Sequence, residues 1–198
     1  IDLRLEYYFG FNQFFTAGIF SKEILNPIEE TVNESGDLII TSYQNVPLAE
    51  INGFEIEYEQ VFEAIMDSPN DLLVKFNYTE TESEVIVNPG DTYINSIGTV
   101  VDAQNLLANG RDTRLQGQSD TIANFQIGLD NLQNQTQATL IVNYVSDRVR
   151  ARGIDVLPDI IEEPPLLVDF AFSKIYSYPE FELKLSLELR NLLDEEYY

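Results

Sequence analysis

Phe181-Glu182-Leu183-Lys184-Leu185-Ser186-Leu187-Glu188-Leu189 decides the fold class. Side chains on a strand point alternately to opposite faces. One face of this strand is therefore wholly apolar, and the other carries Glu182, Lys184, Ser186 and Glu188. Seven more stretches share the pattern, which makes eight. In residues 1–9, Ile1, Leu3, Leu5, Tyr7 and Phe9 oppose Asp2, Arg4, Glu6 and Tyr8. In the third, Phe54, Ile56 and Tyr58 oppose Glu55, Glu57 and Glu59. The fourth sets Leu72, Val74, Phe76 and Tyr78 against Leu73, Lys75, Asn77 and Thr79. The next three carry Phe125 and Ile127, then Leu140 and Val142, then Val168, Phe170 and Phe172 on one face. The second stretch, residues 13–24, is ambiguous in phase, because Phe14, Phe15, Ile19 and Phe20 break the alternation. It bends at Asn26-Pro27 and continues toward Thr31. The third begins near Leu38, is interrupted at Pro47 and resumes.

A soluble sandwich also alternates. The connectors discriminate, because short and long ones take turns along the chain. Residues 10–12, 61–70, 130–135 and 176–179 form the short set; the turn near Asn33 and the loops at 83–120 and 147–165 form the other. Outer-membrane barrels have short periplasmic turns and long outer loops. The expected fold is all-β, an antiparallel up-and-down β-barrel: about eight strands of a larger transmembrane barrel, in one domain over residues 1–198. A loop as long as 83–120 is unusual without a function. Residues 100–108 are expected to form at most a turn or two of helix.

Composition removes several functions. The chain has no Cys and no His, so it lacks a disulfide framework, the commonest metal ligands and the commonest general acid/base. No cofactor motif and no nucleophile set occurs, and an enzyme is not expected. The net charge of −23 disfavours nucleic acid. No apolar run is long enough for a transmembrane helix, which leaves barrel strands untouched.

The inward acids Glu55, Glu57 and Glu59 could form a cation track. The plainer reading is a hydrated barrel lumen shared with Lys75, Asn77, Asn124 and Lys184, in which Lys75, Lys184 and Arg190 pair with acids across strands. Arg148, Arg150 and Arg152 have the spacing of one face. They are candidates for lipopolysaccharide phosphates or an anionic ligand, since guanidinium matches phosphate geometry; the plainer reading is an ordinary loop run. Tyr93, Asn95 and Asn105 are candidate ligand contacts by loop position alone. Asp194, Glu195 and Glu196 could be catalytic carboxylates, but adjacent acids near a chain end are usually solvated.

Four motifs add a resemblance. Asn45-Val-Pro-Leu-Ala-Glu-Ile-Asn-Gly53-Phe-Glu55-Ile-Glu57 opens a long strand. Phe76-Asn77-Tyr78-Thr79 precedes an acidic continuation, and Leu115-Gln-Gly-Gln118-Ser119 runs toward Ala123-Asn124-Phe125. Asn191-Leu-Leu-Asp194-Glu-Glu-Tyr197 comes last. In this order they resemble the carboxy-terminal barrel of TonB-dependent outer-membrane receptors. The family also has a plug domain, a TonB-contacting box and about 22 strands. Neither plug nor box is seen here. The resemblance therefore covers a late barrel segment, expected to be truncated at both ends, since Ile1 already lies in a strand pattern.

The resemblance implies a site in the outer membrane of a Gram-negative bacterium. It implies energy-coupled uptake, in the intact parent, of a large scarce nutrient such as a siderophore–iron complex, cobalamin or a glycan. Expected partners are membrane lipid, lipopolysaccharide, the nutrient ligand, and the TonB complex only through the missing plug. The competing expectation is a small soluble or cell-surface β-barrel or sandwich binding module without transport activity.

Overall fold

The computed structural model describes residues 1–35, 38–63, 69–94, 99–107, 112–154 and 157–196. The fold is all-β, and the elements of the described residues form three sheets. The largest has eight antiparallel strands: β1 (Asp2–Gly10), β2 (Gln13–Leu25), β5 (Leu48–Phe62), β6 (Asp71–Ile86), β9 (Thr121–Asn131), β10 (Thr136–Val145), β13 (Leu167–Ser177) and β14 (Glu182–Leu189), side by side in that order. These are the eight stretches that alternate in the sequence. No sheet closes into a barrel among the described residues, and β1 and β14 form the two outer strands of the large sheet.

Register turns eight separate alternations into two continuous faces. Residues directly opposite in an antiparallel pair share a face. Leu5 lies opposite Ala17, Ala17 opposite Ile56, and Ile56 opposite Tyr78. The same row continues through Tyr78 opposite Ala123 and Ala123 opposite Tyr144. A lower row runs Phe76, Phe125, Val142 and Val168. On β13 and β14, Phe172 faces Leu187 and Tyr176 faces Leu183. All these residues lie on one face. The opposite face carries Arg4, Glu55, Glu57, Glu59, Lys75, Asn77, Asn124 and Lys184. The pairing also resolves the phase of β2. Phe15 and Ile19 join the apolar face, opposite Tyr58 and Phe54, whereas Phe14 and Phe20 lie on the polar face opposite Glu59 and Gly53. A Cβ on Gly53 would come within 2.5 Å of the Phe20 ring and 2.4 Å of the Glu80 carbonyl oxygen. Phe20 thus occupies the space that glycine leaves.

The apolar face is uncovered. Leu3 is 65 % exposed, Leu185 54 % and even the central Phe125 37 %. The total accessible surface is 12777 Å². A compact monomer of 22.6 kDa would expose about 9,500 Å².

The second and third long strands break together. Asn26 adopts a left-handed φ of 53°, which Asn tolerates better than most residues, and Pro27 follows without an N–H. Opposite it, Val46 N donates to the Pro27 carbonyl at 3.0 Å, and Asn26 N donates to the Pro47 carbonyl at 3.1 Å. Beyond this matched break the hairpin continues as β3 (Ile28–Ser35) and β4 (Leu38–Asn45). It leaves the large sheet and joins β11 (Arg148–Gly153) and β12 (Ile160–Glu162) in a four-stranded sheet ordered β12-β11-β3-β4. The β11–β3 pairing is parallel, unlike every pair in the large sheet.

Two expected loops are therefore partly built from strands. The stretch at 147–165 contains β11 and β12. The stretch at 83–120 contains the end of β6, β7 (Thr92–Ile94), β8 (Val100–Asp102) and a 3-10 turn over Ala103–Leu106. The buried apolar cluster lies in this connector layer and not on the large apolar face: Val46, Ala49, Val85, Tyr93, Ala103 and Leu106.

Candidate functional site

The polar face of the large sheet is a lattice of paired groups. Arg4 meets Glu6 at 2.9 Å, Glu55 at 3.3 Å and Glu57 at 3.6 Å. Lys75 meets Glu59 at 3.0 Å across β5 and β6. Asn124 Nδ2 donates to Asn77 Oδ1 at 2.6 Å across β6 and β9. Glu55, Glu57, Glu59, Lys75, Asn77 and Asn124 thus lie together, with cations interleaved among the acids. This arrangement suits a hydrated surface better than a chelate. Among the described residues no group of three metal-ligating side chains converges. Lys184 departs from the expectation: it lies opposite Ile175, and no ion pair joins it to the described residues. Arg190 pairs at 3.3 Å with Glu188, two positions before it, rather than across strands.

At the end of the sheet where the long connectors gather, a second constellation is buried. The Arg152 side chain and its partner Glu29 are both fully enclosed. Arg152 Nε donates to Glu29 Oε2 at 2.5 Å and Nη2 to Oε1 at 2.9 Å, a bidentate pair. The remaining guanidinium donors reach the carbonyls of Asp112 at 2.7 Å and Arg114 at 2.9 Å. Asp159 lies 3.9 Å away and accepts from Gly153 N at 2.9 Å. Burial works against the Arg152 charge, and the hydrogen bonds and charge of Glu29, then Asp159 and Asp112, outweigh it. Its pKa is held above the ordinary arginine value.

Arg114 forms a second knot. It binds Asp112 through Nε and Nη2, meets Asp147 at 2.9 Å and meets Asp120 at 3.3 Å. The hydrogen bond from Arg114 holds the Asp112 carboxyl below the usual carboxylate range. Gln116 then bridges strands with its side-chain amide. Its Oε1 accepts from Glu30 N at 2.5 Å, and its Nε2 donates to the carbonyls of Glu30 at 3.0 Å and Arg150 at 2.7 Å. The segment around Leu115 and Gln116 therefore ties β3 to β11.

The three arginines singled out by spacing all face acids. Arg148 meets Glu162 at 2.6 Å and lowers its pKa by that hydrogen bond. Arg150 meets Glu30 at 3.2 Å, and Arg152 is enclosed with Glu29. Arg152 is therefore unavailable to lipopolysaccharide or any external anion, and the other two are already matched in charge. The sequence put them in a loop with the spacing of one face; the structure places them on β11, and their partners come from β3 and β12.

The loop candidates separate. Tyr93 is buried in the apolar cluster and forms one wall of a cleft of about 680 Å³ beside β4, β7 and Val100. Asn105 is exposed on the 3-10 turn and does not line that cleft. Asn95 lies outside the described residues. The residues that sequence reasoning missed here are Tyr43 and Gln44 of β4, which line the same cleft. No sequence pattern marks them. Glu195 also has a structural place, accepting from Leu166 N at 3.0 Å, while Asn191 closes the turn through Glu195.

No protein-family model matches the sequence, and no curated protein matches it either.

Proposed function

We propose that the chain is part of the transmembrane barrel of an outer-membrane receptor of the TonB-dependent kind. It would contribute to energy-coupled capture and uptake of a large, scarce nutrient in a Gram-negative bacterium. The observation that carries the reading is the apolar face, continuous across eight strands and open to its surroundings. Monomeric soluble proteins rarely expose apolar patches beyond a few hundred Å². Lipid would remove this mismatch. On β6, Leu72 to Tyr78 spans about 20 Å of strand, which at a barrel tilt covers about 15 Å of the roughly 25 Å apolar band. Tyr7 and Tyr58, with Tyr78 and Tyr144 in the neighbouring row, add aromatic rings to this face. The paired polar face would line the lumen, and the connector layer would face the outside. The four ordered motifs support the family, and the one containing Gln116 coincides with the strand-bridging clamp.

The soluble binding-module reading requires the apolar faces to meet inside. Among the described residues no second sheet packs on that face. The discriminating experiment is detergent extraction of the full chain followed by electrophoresis with and without heating. Heat-modifiable mobility in detergent is the expected result. A monodisperse, folded chain in detergent-free buffer would overturn the proposal.

A further inference from the structure

β4 is an outer strand with nothing to blunt its edge. Its one sheet neighbour among the described residues is β3. An open edge offers unpaired N–H and C=O groups to another chain, and proteins commonly blunt such edges with charges, prolines or shortness. The other outer strands follow that rule. β1 carries Asp2, Arg4 and Glu6, β14 carries Glu182, Lys184 and Glu188, and β12 has three residues. β4 has eight residues, Leu38–Asn45, without a charge or a proline.

Register shows which of its backbone groups are open. In an antiparallel pair, opposite residues alternately exchange hydrogen bonds and turn their N–H and C=O groups away from each other. Val46 N donates to the Pro27 carbonyl, which makes Glu29 and Gln44 an exchanging pair. The pairs beside it, Ile28–Asn45 and Glu30–Tyr43, are then turned outward. Glu30 agrees with this phase. Its N–H and its carbonyl both bind the Gln116 side chain, which bridges to β11 on the far side of β3. Tyr43 and Asn45 therefore direct their N–H and C=O groups to the free side, and Thr41, opposite Val32, does the same.

The cleft beside Tyr93 runs along that free side. Tyr43, Gln44 and Asn45 all line it. Consecutive strand residues point to opposite faces, so a cleft that meets all three follows the strand's edge. Topology opens it. In the large sheet β5 has β6 beside it as far as Leu48 opposite Ile86. Beyond the break at Pro47, β4 departs with β3. The chain after β6 instead turns at residues 88–91, where Asp91 N donates to the Asn88 carbonyl at 3.1 Å, and continues as β7. The cleft lies in this fork, and its lining includes Asp91, Thr92, Ile94 and Val100. A strand residue in a sheet fills about 160 Å³, so the cleft of about 680 Å³ admits about four residues of extended chain.

The surroundings define the occupant. Tyr43 and Ile39 are exposed on one face of β4, where an added strand would set apolar side chains against them. Asp91 is the one charged residue among the described lining residues, and the chain carries −23. Like charge opposes a second copy or an acidic segment, and complementary charge favours a basic one.

We infer that β4 is a docking edge for an extended, basic segment of a partner polypeptide. The segment adds to the connector sheet as a further strand, pairs with the backbone of Thr41, Tyr43 and Asn45, and sets alternate apolar side chains beside Tyr43. The inference needs only that the connector layer face water, so it holds with the large sheet in lipid or out of it.

The test is fluorescence anisotropy with the full chain in an amine-oxide detergent at about 150 mM salt, where surface charge is screened. The probe is a labelled eight-residue peptide alternating lysine and valine. One counterpart replaces every lysine by glutamate. Another keeps every side chain but has all backbone nitrogens methylated, so that no ladder donor remains. The lysine peptide should bind, the glutamate peptide should not, and the methylated peptide should bind at least about tenfold more weakly. Tyr43→Pro removes an outward N–H where an edge strand tolerates proline, and should weaken the lysine peptide by a similar factor. Asp91→Asn keeps the acceptor for Asn88 N and should weaken it about threefold. Equal binding of the lysine and methylated peptides would overturn the inference, because charge alone would then account for it. Absence of binding, or unchanged affinity in a folded Tyr43→Pro chain, would do the same. If Tyr43→Pro disturbs folding, the methylated peptide on the unaltered chain still decides. Dimers that Tyr43→Pro abolishes, with no peptide bound, would give the edge to a second copy and overturn the partner. Heat-modifiable mobility of the same sample reports on the membrane reading separately.

Discussion

The large sheet and the connector layer solve burial in opposite ways. Across the sheet, apolar side chains from eight strands share one face and remain open. In the connector layer a few apolar residues, Val46, Val85 and Leu106 among them, are fully or almost fully enclosed, and so is an ion pair. The sheet leaves its apolar face without a cover among the described residues, whereas the connector layer encloses an interior of its own. A hairpin crosses from one regime to the other at Asn26-Pro27 and Val46-Pro47, where it leaves the large sheet and pairs through β3 with β11. With the sheet in lipid, as proposed, the two regions would answer to different solvents.

The largest test of the contrast is Arg152→Ala. It leaves the Glu29 carboxylate buried without its guanidinium and removes the donors to two carbonyls. Breaking one partner of a buried pair costs about 3–5 kcal/mol. The expected result is a connector layer cleaved readily by protease around β11 and β12, with heat-modifiable mobility of the sheet retained. The double change Arg152→Met with Glu29→Met should recover most of the loss, because neither charge is then stranded. Simultaneous loss of both regions in the single variant would mean that they fold as one unit.

Next in size is Leu140→Arg, placed on the apolar face between Ile127 and Phe170. In lipid a midplane arginine on a barrel costs about 2–4 kcal/mol. On a surface facing water the same change would be close to neutral. Urea unfolding of the chain reconstituted in phosphocholine vesicles measures the difference directly. A change near zero there would show that the face does not meet lipid, and the comparison of two solvents would fail.

The legibility of the sequence follows the same division. The eight sheet strands could be read because alternation is a local property, and neighbours in the sheet mostly follow one another in the chain. Leu183 to Leu189 needs no knowledge of its partner to show its apolar face. The connector layer could not be read in this way. Arg152 and Glu29 are 123 residues apart, and each looks like an ordinary solvated charge where it stands. Arg148, Arg150 and Arg152 did show strand spacing, but only the pairing with β3 and β12 reveals that they face acids. The ambiguity of β2 had a similar cause. Phe20 broke the alternation because it packs over Gly53 on the neighbouring strand, which a one-strand pattern cannot show. The closed barrel rests on the connector rhythm and the motif order, since the described sheet is open.

The smallest effect sought is a selective response to acid. Asp112 is held low first by its hydrogen bond from Arg114, and Glu162 by its hydrogen bond from Arg148. Both folded values lie below the ordinary ones, so the folded state binds these protons less readily than the unfolded state. Their stabilisation is complete above the ordinary carboxylate range and is lost as pH falls through the lowered folded values, below about pH 4. Both pairs are partly solvated, so each contributes only up to about 1 kcal/mol. Thermal melts followed by tyrosine fluorescence between pH 7 and pH 3 should show a decline confined to a lower-melting connector transition. Arg114→Gln should remove the Asp112 share of that decline and lower the plateau at neutral pH. The sheet transition should keep its midpoint in that variant, because Arg114 binds Asp112, Asp120 and Asp147 and no group on the lattice of Arg4, Glu55 and Glu57. If the acid-sensitive component survives Arg114→Gln unchanged, Asp112 has no part in it and the Arg148–Glu162 pair is left to account for the decline.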